Sequence, residues 1–178
     1  MVRSSRRVRN RWTLLAAFAA LAAVVLDFAA GPTDGAATPQ LFPNQDAQRL
    51  RLSDAECKRP PRTRSVGETN GPRIVVKAPA VRDDDASETI TTETPTRLHV
   101  SFENNLAPVD TASLDVSARK GIFSKSLTDV LRPYVGGSTI AVDQLEIPEG
   151  RFLVLIQIAE TARRKTARSF RLDVRAAP

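Results

Sequence analysis

Apolar and polar residues alternate with a period of two in six segments of the chain from Arg73 onward. Successive side chains of a β-strand point to opposite faces, so this alternation predicts strands with one face in a core. Turn-forming residues separate the segments, as is typical of an all-β domain. We therefore predict about seven strands, with the fourth segment counted as one strand or two. The segments are RIVVKA, RLHVSF, SLDVSA, STIAVDQLEI, RFLVLIQI and SFRLDV.

The segment RFLVLIQI is apolar on both faces of its predicted strand. Phe152, Val154 and Ile156 lie on one side, and Leu153 and Leu155 lie on the other. Two interpretations follow from this pattern. Either the strand is central and its outer face is covered by other parts of the chain, or Leu153 and Leu155 belong to an exposed patch that docks another protein.

Residues 1–37 have the pattern of a targeting segment. Five arginines precede an uncharged run of 15 residues, 12–26, which is shorter than the roughly 20 residues of a spanning helix. Both a cleaved signal peptide and an uncleaved N-terminal hydrophobic anchor helix fit this pattern. In either case residues 38 onward cross the membrane, which predicts a periplasmic or extracellular domain, anchored in the inner membrane if the segment is uncleaved.

Residues 38–72 are rich in proline, glycine and charge, and they predict a flexible, disordered linker. Within them, the stretch NQDAQRLRLSDAEC predicts a short helix capped by Asn44. Its few apolar residues, Leu50 and Leu52, offer little surface for packing. The predicted organisation is therefore a targeting segment (1–37), a linker (38–72) and a β domain (73–178).

Four motifs follow one another in the β domain: GPRIVVKAPAV, TPTRLHVSFENNLAPVDTASLDV, IPEGRFLVLIQIAE and SFRLDV. Together they resemble bacterial immunoglobulin-like envelope domains, and the resemblance covers about 100 residues at the C-terminal end. It implies an immunoglobulin-like β-sandwich, a fold that carries many unrelated functions. The chain departs from the pattern at AETARRKTARS, which has no glycine, and it has neither an internal disulfide nor a core tryptophan.

A basic cluster follows the last residues of RFLVLIQIAE. It predicts either a solvated hairpin or a contact site for an acidic protein, a surface polysaccharide or anionic lipid. No aromatic residues interleave with these charges, and residues 73–178 carry 15 basic against 14 acidic residues, so nucleic acid is not a predicted partner. The cluster consists of Arg163, Arg164, Lys165, Arg168 and Arg171, and the first four are the predicted contact residues.

Few residues of the chain suit catalysis or metal binding. His99 is the only histidine and Cys57 the only cysteine, which argues against a zinc site, a histidine-based triad and an internal disulfide. The run Asp83, Asp84 and Asp85, with Glu88, predicts a solvated loop. Calcium binding is the alternative, although calcium loops usually space their acids alternately. The sequence predicts no catalytic residue, no cofactor and no bound metal.

These observations together predict a non-enzymatic envelope protein with an immunoglobulin-like interaction domain. Its predicted partner is another envelope protein or a surface polymer, with the membrane as a further partner through an uncleaved N-terminal segment. The predicted interaction residues are Leu153, Leu155, Arg163, Arg164, Lys165 and Arg168. Two alternatives stay open: an accessory or carbohydrate-associated module of an envelope enzyme, and a calcium-binding envelope domain.

Overall fold

The computed structural model describes residues 38–58, 71–84 and 87–176. The predicted targeting segment, residues 1–37, lies outside these described residues. So do residues 59–70 of the predicted linker and Asp85 of the acidic run. All the elements below belong to the unit that begins at residue 37.

The described residues form ten strands in two sheets, together with three short helices. The helices are α1 (Asn44–Leu50), α2 (Asp54–Cys57) and α3 (Thr128–Leu131), and a 3-10 turn follows α3 at Arg132–Tyr134. The strands are β1 (Arg73–Ala78), β2 (Val81–Asp84), β3 (Ser87–Thr94), β4 (Thr96–Glu103), β5 (Val109–Lys120), β6 (Phe123–Ser126), β7 (Val135–Gly136), β8 (Thr139–Leu145), β9 (Gly150–Glu160) and β10 (Lys165–Ala176). The predicted all-β class is confirmed.

One sheet has six strands and the other has four. The six-stranded sheet has the order β2-β3-β10-β9-β5-β6, and the four-stranded sheet has the order β1-β4-β8-β7. The β3–β10 pair is parallel, and the other named pairs are antiparallel. Each of the six predicted segments forms a strand, at β1, β4, β5, β8, β9 and β10.

Four strands lie outside the predicted segments. The β3 sequence SETITTET contains one large apolar residue, Ile90, so it lacks the alternation that identified the other strands. The acidic run was predicted to be a loop, but Asp83 and Asp84 pair with β3 as part of β2. The four strands β2, β3, β6 and β7 raise the count from about seven to ten.

The core lies between the two sheets and consists of aliphatic and phenylalanine side chains. Alternate residues of β9, from Phe152 to Ile158, face this core, as the sequence predicted. A cavity of about 60 Å³ remains inside, lined by residues of both sheets that include Val116, Val154 and Ile156. The lining is almost entirely apolar, and wall atoms that face such a space lose packing contacts.

The prediction of a flexible linker does not hold for residues 38–58, which pack on the β domain. Leu41, Phe42, Ala47 and Leu50 are buried in the common core, and the Phe42 ring meets the Phe152 ring edge-on at 4.9 Å. The predicted short helix is present as α1, but Pro43 is its N-cap residue and no side chain caps it. Burial of one apolar face, rather than capping, stabilises this segment.

Backbone hydrogen bonds also join this segment to the sheets. The Glu146 N–H donates to the Pro39 carbonyl at 2.9 Å, and the Leu41 N–H donates to the Glu146 carbonyl at 2.8 Å. Further along, the Leu52 N–H donates to the Arg151 carbonyl at 2.7 Å. Because these bonds satisfy backbone groups at an end of the sandwich, residues 38–58 are part of the domain rather than a tether to it.

Candidate functional site

Two loops meet at the end of the sandwich where β9 ends and β5 begins. They are residues 104–108, between β4 and β5, and residues 161–164, between β9 and β10, and we call them the loop pair. Glu160, the last residue of β9, is only 1% exposed. Its Oε1 accepts hydrogen bonds from the backbone N–H groups of Asn105 at 3.1 Å and Leu106 at 3.0 Å. One buried carboxylate therefore joins the two loops.

The surroundings of Glu160 favour its ionised form. The Leu106 N–H bond makes the largest contribution to lowering the pKa of this carboxyl below its usual value, and burial opposes it. The N–H groups of Asn105 and Ala107 and the charge of Arg164 lower the pKa further. Hydrogen bonds to a charged acceptor are stronger than neutral ones, so the ionised carboxylate holds the loop firmly.

The second oxygen of Glu160 is the less well satisfied one. Among the described residues, Oε2 is buried and has no hydrogen-bond partner, and the Arg164 Nε lies 3.8 Å away. A buried charge is costly unless it is compensated. Arg164 is therefore an ion-pair partner inside the domain as well as a member of the predicted basic cluster.

Backbone bonds fix the tip of the β9–β10 connection. The Glu160 N–H donates to the Arg164 carbonyl at 2.9 Å, and the Arg163 N–H donates to the Glu160 carbonyl at 2.8 Å. Arg163 occupies the left-handed region with φ of 64°, where a residue with a side chain is uncommon. Across the gap, the Thr161 N–H donates to the Pro108 carbonyl at 2.9 Å. The two loops thus form one hydrogen-bonded unit.

The loop pair and its flank present basic and apolar side chains to solvent, alongside exposed polar ones such as Asn104 and Asn105. Arg163 and Lys165 are exposed beside the turn, and Leu106 is 65% exposed on the facing loop. A long cationic side chain next to an apolar one, on a backbone already held in place, suits an acidic partner with some apolar surface. This surface is the candidate site.

Arg168, the fourth residue of the predicted basic cluster, lies apart from the loop pair. Its Nε donates to Glu88 Oε2 at 2.7 Å, and its guanidinium also pairs with Glu88 Oε1 and donates to the Ile74 carbonyl. The guanidinium carbon lies 5.2 Å from the centre of the Phe170 ring. Arg168 therefore links β10 to β3 and β1, which are contacts inside the domain.

Leu153 and Leu155 lie on the outward face of the six-stranded sheet but do not form an exposed patch together. Leu155 is 3% exposed and pairs with Ser117 and Ser169 on its two neighbouring strands. Leu153 is half-buried, between Arg119 and Arg171 in the same register. The outer face is thus covered at Leu155, in agreement with the interpretation of a covered central strand.

The structure also shows where His99 and Cys57 lie. His99 is half-buried in β4, and Cys57 is a free, half-buried thiol at the end of α2. Within the described ranges, no group of three or more His, Cys, Asp or Glu residues is arranged to hold a metal ion. Residues 38–58, 71–84 and 87–176 contain no helix that is both long and apolar enough to span a membrane.

Comparison with known proteins gave no match. The chain matches no family model, no curated protein and no solved structure. The candidate site therefore rests on its own geometry.

Two functional candidates were not predicted from the sequence. Glu160 lies in AETARRKTARS, the segment that departs from the immunoglobulin-like pattern, and its role depends on a loop more than 50 positions away. Leu106 lies in ENNLAP, which predicts a turn and nothing about exposure. A sequence signal exists only for Glu160, which continues the inward alternation of β9 with a charged residue.

Proposed function

We propose that the protein is a non-enzymatic, secreted or membrane-anchored envelope protein whose immunoglobulin-like β-sandwich binds an acidic partner, another envelope protein or a surface polymer, through the loop pair. The observation that carries the proposal is the buried Glu160 carboxylate that joins residues 104–108 to residues 161–164. A loop that is ordered before binding loses less conformational entropy when a partner arrives. A buried charge that fixes two surface loops gives a binding partner a surface that is already ordered.

The immunoglobulin-like part of the proposal has its own support. Two stacked sheets of mainly antiparallel strands enclose an aliphatic core, and loops cluster at the ends of the strands. The envelope location is supported by the arginine-rich N-terminus and the uncharged run of residues 12–26.

The charge of the partner follows from the exposed basic residues in the loop pair and directly next to it. Arg163 and Lys165 present two cations, while the carboxylate beside them, Glu160, is buried and faces inward. Complementary charge accelerates association and selects partners more than it adds affinity. Binding is therefore expected to weaken as ionic strength rises.

The test is quantitative affinity purification of the full-length chain from cross-linked cells. We expect the double variant Arg163→Ser with Lys165→Ser to lose the proteins or polymers that the wild-type chain captures. The matched control is Arg49→Ser with Lys77→Ser, which removes the same charge from exposed positions outside the loop pair. Equal capture by all three chains would refute the loop pair as the contact site.

A further inference from the structure

The β5–β6 hairpin carries two large apolar residues at its tip. Ile122 is 95% exposed and Phe123 is 58% exposed. Lys120 pairs with Phe123, so residues 121 and 122 alone make the turn, with Gly121 at φ of 57°. Removing such side chains from water is favourable, so leaving both exposed is costly. We call residues 121–123 the hairpin tip.

Cations surround the base of this hairpin. The chain has no acidic residue between Asp115 and Asp129, and it carries Arg119, Lys120 and Lys125 there. Long basic side chains at the base of an apolar protrusion suit a lipid interface, where apolar groups enter the acyl boundary and cations meet headgroups.

Part of this charge is paired within the domain. Lys120 Nζ lies 3.6 Å from a Glu56 carboxylate oxygen, and Lys125 Nζ lies 2.9 Å from an Asp46 carboxylate oxygen. Arg119 donates its Nε–H to Ser117 Oγ at 3.3 Å, and in the described part of the chain no carboxylate lies within 4 Å of its guanidinium. A net positive charge therefore remains beside the tip, which is attracted by anionic headgroups.

Residues 38–58 contact the hairpin below its tip. The Lys120 Nζ donates to the Arg51 carbonyl at 2.5 Å, so residues 38–58 lie against the base of the hairpin. In the sequence, only residues 27–37 separate the uncharged run 12–26 from the first described residue. Eleven residues span about 40 Å at most. If a membrane holds the N-terminal run, this length limits its distance from residue 38 to about 40 Å.

We propose that the hairpin tip inserts into the interface of an anionic lipid membrane and orients the sandwich on it. The tip is at the C-terminal end of β5, and the loop pair is at its N-terminal end. The proposal thus goes beyond the loop pair and its partner: it assigns a second surface, at the opposite end of the same strand, to lipid.

The test places an environment-sensitive fluorophore on the full-length chain. Cys57→Ser removes the single native thiol, and Ile122→Cys supplies a labelling position that is fully exposed. The matched control carries the label at Leu106→Cys, in the loop pair. Each protein is reconstituted with vesicles of phosphatidylcholine alone or with phosphatidylglycerol added.

We expect the label at position 122 to shift to shorter emission wavelengths and to become protected from aqueous iodide in vesicles that contain phosphatidylglycerol. Adding Phe123→Ser should reduce both effects, and the label at position 106 should stay accessible throughout. Equal accessibility at the two positions, or an equal shift with neutral vesicles, would overturn the proposal. So would protection that appears without vesicles and grows with protein concentration, because that result indicates a second copy of the chain. Partner capture through Arg163 and Lys165 is measured separately, so either proposal can fail alone.

Discussion

Glu160 occupies a position where the alternation of β9 calls for an apolar residue. Phe152, Val154, Ile156 and Ile158 precede it on the inward face, and the carboxylate takes the next place in that row. A charge at such a position is retained only if hydrogen bonds replace its water. Here the backbone N–H groups of the facing loop replace it, so the loop conformation and the charge depend on each other.

This dependence predicts an acid-sensitive loop. The pKa of Glu160 is lowered in the folded chain from an ordinary value of 4.5. Its contribution to the free energy of unfolding is therefore complete above that value and is lost as the pH falls through the lowered folded pKa. Hydrogen exchange of the Asn105 and Leu106 amides should accelerate, relative to the other amides of the domain, as the pH falls through that range.

The Glu160→Gln variant separates this effect from general acid unfolding. We expect it to exchange these amides faster at neutral pH and to lose the acid-dependent step. Glu103→Gln is the matched control, because Glu103 is exposed and its pair with Arg73 at 3.8 Å is a surface ion pair. If both variants kept the wild-type pH profile, the carboxylate would not hold the loop.

At the scale of elements, residues 38–58 are the part of the domain that the sequence predicted least well. Its buried residues, Leu41, Phe42, Ala47 and Leu50, are spread among proline, asparagine and charged residues without a sustained helical or strand period. Such a composition is typical of disorder unless a preformed surface accepts the few apolar side chains. That surface is built by strands distant in sequence, and local patterns do not contain it.

This packing has a measurable consequence. Phe42 is almost fully buried against Phe152, so Phe42→Ala should lower the free energy of unfolding by about 3–5 kcal/mol. Urea denaturation followed by circular dichroism measures the change. Gln45→Ala, at an exposed position of α1, is the control and should stay close to wild type. A Phe42→Ala chain as stable as the control would mean that residues 38–58 do not stabilise the domain.

Strands were predictable wherever one face is apolar, and they were missed where it is not. β1, β4 and β10 alternate clearly and were found, whereas β3 is a run of threonine, serine and glutamate around Ile90. Its pairing with β10 depends on a partner near the other end of the domain. The loop pair and the hairpin tip could not be predicted from the sequence for a related reason. Exposure and proximity of side chains are properties of the assembled sheets.

At the scale of the whole molecule, the cavity between the sheets allows the packing of the core to be tested by substitution. The cavity of about 60 Å³ includes Val154 and Val116 in its wall. Val154→Ile adds one methylene to this space and should raise the free energy of unfolding by about 0.8 kcal/mol. Val142→Ile is the control, because Val142 is buried but does not line the cavity, and overpacking there should destabilise the chain. Loss of stability in both variants would show that the cavity does not accept added volume.

The strand order also determines when the domain can complete its folding. β10 follows β9 in the sequence, yet it lies between β9 and the distant β3 in the interior of the six-stranded sheet. Pairings between distant segments form slowly, because loop closure must precede the stabilising contacts. Until β10 has formed its pairs, β3 and β9 each keep an unpaired edge that can associate with other chains. The six-stranded sheet is therefore complete only when β10 has inserted between those two edges.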